Sequence, residues 1–153
     1  MSLMTPHDHW MNLALAEARL AFDESEVPVG AVIVKAGVLL GKGHNRTKTL
    51  ADPTAHAEIL AITAACQTLG SERLDECDFY TTLEPCPMCA AAIVLGRVKR
   101  LYYAAEDPRM GACGSMIDLP RDGRMGHKVE IYRAGNPNES LNLLKDFYSA
   151  KRN

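Results

Sequence analysis

The sequence predicts an α/β fold, with helices covering a sheet in a single domain over residues 1–153. Between residues 29 and 104, apolar segments alternate in the order strand, helix, strand, helix, strand, which is typical of βαβ crossovers. At 153 residues the chain can bury roughly two-thirds of the surface that its unfolded form exposes. We therefore expect one hydrophobic core that needs no metal to hold it together.

The first part of the chain predicts a helix followed by a hairpin. Residues 9–22 place Trp10, Leu13 and further apolar residues at helical spacing, which indicates an amphipathic helix. Residues 29–34 are a short β-branched apolar run, typical of a buried strand. Residues 35–37 then turn the chain into residues 38–41, the second strand of a predicted hairpin.

A second helix is predicted to start at residues 51–54, where a proline and a capping side chain precede an apolar repeat that Gly70 ends. This start places His56 and Glu58 in the first helical turn. Side chains two residues apart on a regular helix point roughly 200° apart. The side chains of His56 and Glu58 can therefore reach a common site only if the backbone at the helix start departs from regular helical geometry.

The remaining elements follow the same alternation. We predict strands over residues 79–83, 98–104 and 129–132, the last at a sheet edge, and helices over residues 88–95 and 138–151. Residues 111–124 are rich in glycine, proline and charge, and are long for a connection. That length favours a functional loop.

Composition narrows the class of protein. With 47% hydrophobic and 24% charged residues, the chain is typical of an ordinary folded protein. No apolar segment is long enough to span a bilayer and the start lacks a signal-peptide pattern, so we predict a cytoplasmic protein without a membrane partner. The net charge of −2 does not by itself predict that the protein binds nucleic acid. Any nucleic-acid partner would have to bind a local basic patch. Cys66, Cys77 and Cys113 are predicted to be reduced thiols that fill space.

Cys86 and Cys89 are candidate metal ligands at the start of a helix, where the helix dipole favours thiolates. Alone, such a pair also fits a redox dithiol or half of a structural zinc ribbon. The Ala-rich helix start disfavours a redox dithiol. The lack of a second pair of cysteines at this spacing disfavours a zinc ribbon. With His56 the pair makes three ligands, which leaves a fourth tetrahedral position for water, as in catalytic zinc sites.

Glu58 gives this metal site a candidate proton carrier. Water on zinc has its pKa lowered to about 7, and a neighbouring carboxylate can take the proton and redeliver it to a leaving group. A zinc-bound water beside a carboxylate suits hydrolytic deamination, in which water attacks an amidine-like ring carbon and ammonia leaves. Taken singly, His56 also fits a hydrogen-bonded core histidine, and Glu58 a solvated acid at a helix start.

The segments His56-Ala57-Glu58 and Pro85-Cys86-Pro87-Met88-Cys89 resemble the signature of the zinc-dependent nucleobase deaminases of the cytidine/deoxycytidylate deaminase superfamily. Within that superfamily, Gly43-His44-Asn45-Arg46 and residues 52–58, 83–86 and 107–115 resemble the bacterial tRNA-specific adenosine deaminases, which make inosine at the anticodon wobble position. The resemblance runs from about Trp10 to about Tyr148.

This resemblance implies a three-layer α/β/α domain with a five-stranded mixed sheet, acting as a homodimer on a tRNA anticodon loop. It implies one Zn²⁺ per subunit on His56, Cys86 and Cys89, and a zinc-activated hydroxide that attacks adenosine while Glu58 carries the proton. The implied substrate contacts are Asn45, Ala57, Asp107, Ser115, Phe147 and Tyr148.

Several alternatives stay open at this point. Asn45 and Asp107 also fit turn residues, and Phe147 and Tyr148 also fit core positions. Glu106 stands where the tRNA enzymes often carry arginine, and an acid at this position is similar to the pattern of bacterial guanine deaminases. This similarity favours a free nucleobase or nucleoside as substrate. A third possibility is a non-catalytic, zinc-stabilised RNA-binding module. An open groove lined by Asp107, Ser115 and the last helix would favour a nucleic-acid strand, whereas a pocket sealed by a loop or a partner subunit would favour a free base.

Overall fold

A computed structural model describes residues 3–151 of the chain. Within these residues, helices span Pro6–Asp23 (α1), Ala57–Leu69 (α2), Pro87–Leu95 (α3) and Pro137–Lys151 (α4). Strands span Gly30–Lys35 (β1), Val38–His44 (β2), Asp78–Leu83 (β3), Arg100–Ala105 (β4) and Glu130–Arg133 (β5). None of the helices in this part of the chain combines the length and hydropathy needed to cross a bilayer.

The strands form one mixed sheet in the order β2-β1-β3-β4-β5. β1 is antiparallel to both β2 and β3, whereas β3, β4 and β5 run parallel to one another. The helix α3 joins the neighbouring parallel strands β3 and β4, as a βαβ unit requires. The predicted α/β fold with a five-stranded mixed sheet is confirmed.

Helices cover both faces of the sheet. In β1, alternate side chains point to opposite faces. Ala31 and Ile33 pack in the cluster that includes α2 and α3, whereas Val32 and Val34 pack in the cluster that includes α1. The helix α4 packs beside α1 on the second face. The three-layer arrangement is therefore confirmed as well.

The second helix begins later than the sequence predicted. The prediction of a start at residues 51–54 was wrong because the Asp52 carboxylate accepts hydrogen bonds from the amide (2.8 Å) and the hydroxyl (2.7 Å) of Thr54. These bonds close a separate turn, a common local use of aspartate. α2 starts only at Ala57, with His56 as its N-cap residue.

The other elements lie within a few residues of their predicted bounds. α1 starts three residues early, at Pro6, because Thr5 and Asp8 form a capping box ahead of it. α2 ends at Leu69, and the capping residue Gly70 has the left-handed conformation, with φ of 68°. Residues 111–124 form a loop with one isolated bridge, between Cys113 and Asp118. Cys66, Cys77 and Cys113 are free thiols, as predicted, and Cys86 and Cys89 are not joined by a disulfide.

Two glycines of β2 let α2 approach the sheet closely. A Cβ on Gly43 would lie 2.6 Å from the Ala57 carbonyl oxygen and 2.8 Å from the Ala61 amide. At Gly41 it would lie 2.5 Å from the Ala65 amide. Glycine at these positions therefore fixes the distance between the sheet and the first turn of α2.

Candidate active site

The candidate metal ligands meet where two helices begin. His56 is the N-cap residue of α2 and Cys86 is the N-cap residue of α3, and both have extended backbone conformations. Neither side chain caps its own helix. Cys89 follows in the first turn of α3. All three side chains are therefore available to a common centre.

The distances between these side chains fit a tetrahedral zinc ion. His56 Nδ1 lies 3.7 Å from Cys86 Sγ and 3.5 Å from Cys89 Sγ. All three ligand atoms lie within 4.8 Å of one another. Typical Zn–N and Zn–S bonds at tetrahedral angles separate nitrogen from sulfur by about 3.6 Å. The donor set, one imidazole and two thiols, is also one that zinc prefers.

The helix start answers the geometric question that the sequence raised about His56 and Glu58. The N-cap backbone of His56 has φ of −73° and ψ of 154°, so the helical period does not set the direction of its side chain. Glu58 is the second residue of α2 and is 4% exposed. Both residues consequently line the same cavity although they are two apart in sequence.

The titratable groups of this site strongly influence one another. A hydrogen bond from Cys89 lowers the pKa of Cys86 to about 4, with a further contribution from His56. The hydrogen bond to Cys86 and burial raise the pKa of Cys89, and hydrogen bonding to Cys86 raises the pKa of His56. Burial raises the pKa of Glu58 to about 6 against opposing hydrogen bonds from its own backbone amide and from Cys89. The ligand set thus already favours one thiolate, and a bound dication would favour the second.

A cavity of about 300 Å³ contains this site. It lies at the carboxyl ends of β2, β3 and β4, the usual place for a ligand in an open α/β sheet. The lining residues are Val27, Val29, Asn45, Thr47, His56, Ala57, Glu58, Leu83, Glu84, Cys86, Asp107, Met110 and Tyr148.

Four of the six predicted substrate contacts line the cavity. Asn45 and Ala57 are buried in its wall, whereas Tyr148 on α4 is 49% exposed at its edge. Asp107 also lines the cavity, but its carboxylate accepts hydrogen bonds from the backbone amides of Arg109 and Met110. Asp107 is therefore a turn former and a cavity residue at once.

The other two predicted contacts lie outside the cavity lining. Phe147 is 5% exposed and packs edge-on against Phe22 of α1, so it belongs to the core. The Ser115 hydroxyl donates a hydrogen bond of 2.5 Å to Glu84 Oε1. Ser115 is exposed and contacts the cavity only through Glu84, whereas Phe147 packs in the core.

Glu84 is a site residue for which the sequence predicted no role. Its side chain is 2% exposed and lines the cavity between β3 and Cys86. Burial raises the pKa of its carboxyl, but hydrogen bonds from the Ser115 hydroxyl and three backbone amides outweigh burial and keep the pKa below its usual value. The available signal was an acid directly before Pro85-Cys86, together with a glycine-rich segment downstream.

The cavity continues into an open groove of about 490 Å³. The groove lies between α4 and residues 107–115, which we call the rim loop, and its lining residues are Leu83, Glu106, Asp107, Pro108, Arg109, Met110, Leu141, Leu144 and Tyr148. Leu83, Asp107, Met110 and Tyr148 line both spaces. Glu106 lines only the groove and forms an ion pair with Arg133 at 3.0 Å.

Residues 5–152 match the family described as MafB19-like deaminase. A tRNA-specific adenosine deaminase from Agrobacterium fabrum (strain C58) is 46% identical over 149 residues, which is 97% of this chain and 98% of the relative. A chain solved in studies of A-to-I editing by tRNA:A34 deaminases at the wobble position of transfer RNA is 48% identical, with a TM-score of 0.85, and the match covers 89% of this chain and 99% of that one. The guanine deaminase from Bacillus subtilis is 32% identical, with a TM-score of 0.65 and coverage of 98% and 96%.

Proposed function

The chain belongs to the MafB19-like deaminase family, and we propose that it is a zinc-dependent enzyme that converts adenosine to inosine at the wobble position of a tRNA anticodon loop, in the cytoplasm. The likeness to tRNA-specific adenosine deaminases over nearly the whole of both chains supports the choice of substrate. The reaction consumes one water molecule and releases ammonia.

His56, Cys86 and Cys89 would hold the zinc ion, since their nitrogen–sulfur separations match those of tetrahedral zinc. Zinc bound there supplies Lewis acidity, which makes water nucleophilic near neutral pH. The buried carboxylate of Glu58 would carry two protons in turn. It would take the first from water and give it to a ring nitrogen of the purine, and take the second from the hydroxyl then on the attacked carbon and give it to the departing amino group. Its burial keeps bulk water from competing for these protons.

Other cavity residues would hold the base and its ribose. The Asn45 amide offers both a donor and an acceptor from a buried wall position. Ala57 leaves room for a flat ring because its side chain is a single methyl group. Asp107, at the cavity edge, would contact the ribose or the adjacent backbone.

The open groove is the observation that carries the choice of an RNA strand over a free base. A free base needs only the cavity. An RNA strand also needs a path outside the cavity for the nucleotides on either side of the bound base. The groove provides such a path, with Tyr148 exposed where it meets the cavity. Exposed aromatic rings stack on nucleobases, and the exposed Arg109 makes no ion pair among residues 3–151 and could meet a phosphate.

The zinc-loaded protein tests this proposal on an anticodon stem–loop RNA with adenosine at the wobble position. We expect inosine in the digested RNA and an equal amount of ammonia. A matched RNA whose only adenosines lie in the stem should give neither, because paired bases cannot enter the cavity. Free adenosine and free guanine are assayed in parallel.

The alternatives predict different results in the same assay. Ammonia from guanine without inosine in the RNA would identify a free-base deaminase instead. Salt-dependent RNA binding without any ammonia would identify a binding module. The position of Glu106, outside the cavity lining and paired with Arg133, does not favour the free-base alternative.

A homodimer is also part of the proposal. The face formed by α2 and α3 contains a shallow apolar space of about 770 Å³, lined in part by Ile62, Cys66, Ala92 and Leu95. Leu95 is 70% exposed. A second copy of the chain would remove this apolar surface from water.

A further inference from the structure

Glu84 lies between the sheet and a candidate zinc ligand. It follows Leu83, the last residue of β3, and lies two residues before Cys86, the N-cap residue of α3. Its amide donates a 2.8 Å hydrogen bond to the Ala105 carbonyl, so its backbone is held by the adjacent strand β4. The position of its carboxylate is therefore well defined relative to Cys86.

Four donors from the rim loop converge on this carboxylate. Oε1 accepts hydrogen bonds from the Asp107 amide at 3.2 Å and from the Ser115 hydroxyl at 2.5 Å. Oε2 accepts hydrogen bonds from the amides of Cys113 at 3.0 Å and Ser115 at 3.1 Å. One buried side chain thus holds both ends of the rim loop.

The rim loop also packs directly on Glu84. A Cβ on Gly111 would lie 2.4 Å from both Cδ and Oε2 of Glu84, so only glycine permits this approach. The next residue, Ala112, donates a 2.8 Å hydrogen bond to the Pro85 carbonyl. The rim loop and the segment that carries Cys86 are consequently one packed unit.

We propose that Glu84 is a positioning residue that fixes the substrate side of the cavity relative to the metal side. Asp107 and Met110 of the rim loop line the cavity, whereas Cys86 is one of the three candidate metal ligands. The kinetic part of this inference rests on the proposed function. The structural part, that Glu84 orders the rim loop, does not depend on it.

A carboxylate suits this role better than its amide. Each oxygen of Glu84 accepts two hydrogen bonds, and no donor on the side chain opposes them. In Glu84→Gln one oxygen becomes an NH₂ group. If the amide oxygen keeps the Cys113 and Ser115 amides, the NH₂ group faces the Asp107 amide, donor against donor. The variant side chain has the same shape, but it no longer accepts the hydrogen bond from the Asp107 amide at the start of the rim loop.

Hydrogen exchange and kinetics of zinc-loaded Glu84→Gln test the proposal. We expect faster amide exchange at Asp107, which loses its acceptor, and smaller increases at Cys113 and Ser115, because a loosened loop start weakens the hydrogen bonds that remain. We expect a zinc content equal to that of the unchanged protein. We expect kcat/KM on the stem–loop RNA to fall roughly 10- to 100-fold, mainly through KM, since charge-assisted hydrogen bonds to a positioning group are lost. Asp78→Asn is the control, because it removes the Arg100 ion pair at the opposite end of β3 without contact to the rim loop.

Each outcome is informative. Exchange and KM like those of the unchanged protein would overturn the proposal, and so would loss of zinc with unchanged exchange in the rim loop. If the unchanged protein makes no inosine, the proposed function fails, yet the exchange data still decide whether Glu84 orders the loop. If Glu84→Gln does not fold, Ser115→Ala removes one exposed donor only. It should speed exchange at the same amides, and unchanged exchange there would overturn the proposal.

Discussion

Glu58 and His56 show how a single helix start can direct two polar side chains into one cavity. Because His56 is an N-cap residue, the chain presents a candidate metal ligand just outside α2 and a carboxylate just inside it. The two side chains share one cavity without any distortion of the helix. Ala57, between them, lines the cavity with only a methyl group.

Glu58→Gln should abolish proton transfer while leaving the three metal ligands intact. We expect zinc at one ion per chain and a fall in kcat of about 10²- to 10⁴-fold, the usual contribution of a general acid–base group. Metal analysis and single-turnover assays on the stem–loop RNA measure both quantities. Glu139→Gln is the matched control, because Glu139 is exposed on α4 and lines neither the cavity nor the groove, and it should behave like the unchanged protein. Full turnover by Glu58→Gln would contradict the assigned role.

Single residues differ in how far their sequence context reveals their position. The spacing of His56, Cys86 and Cys89 predicted a ligand group that the structure brings together, because each residue lies at a helix start. Phe147 and Tyr148 could not be separated in the same way. Both fit the helical repeat of α4, and only packing against Phe22 decides that Phe147 points inward.

Glu84 was missed for a related reason. Its partners follow it by 23 to 31 residues and most are backbone amides, which leave no trace in residue type. Gly111 was the visible sign, but a glycine in a loop has many explanations.

At the scale of elements, the position of α2 depends on the glycines of β2. Its first turn, with His56 and Glu58, is set by close contact between Gly43 and the backbone of Ala57 and Ala61. The alternation of strands and helices predicted the elements, but not this distance. Nor could it locate the start of α2, since the turn at Asp52 contains the same residue types as a helix cap.

Gly43→Ala should move α2 away from the sheet. We expect a loss of about 1–3 kcal/mol in the free energy of unfolding, typical of overpacking, together with weaker zinc binding because His56 moves with the helix. Urea denaturation and competitive zinc titration measure the two effects. Lys42→Ala is the control, because Lys42 is exposed on the same strand. Weaker stability with unchanged zinc affinity would show that the helix start does not depend on this contact.

For the whole molecule, the two outer faces differ in charge. The helices α1 and α4 carry acidic and basic residues, as expected of surfaces in water. In α2 and α3 the only charged residue is Glu58, and it is buried. The exposed side chains of α2, which include Thr63, Gln67 and Thr68, are uncharged. An outer face without charge costs less to remove from water than a charged one. The face of α2 and α3 is therefore the expected site of contact with a second copy.

Leu95→Asp should separate such a dimer, because a charge in an apolar interface is costly to desolvate. We expect the dissociation constant in sedimentation experiments to rise roughly tenfold or more, since tenfold corresponds to only about 1.4 kcal/mol. Leu20→Asp is the matched control, because Leu20 is an exposed leucine on α1, at the other face of the sheet. It should leave the dimer intact. A monomeric unchanged protein, or a dimer that only Leu20→Asp disrupts, would exclude α2 and α3 as the interface.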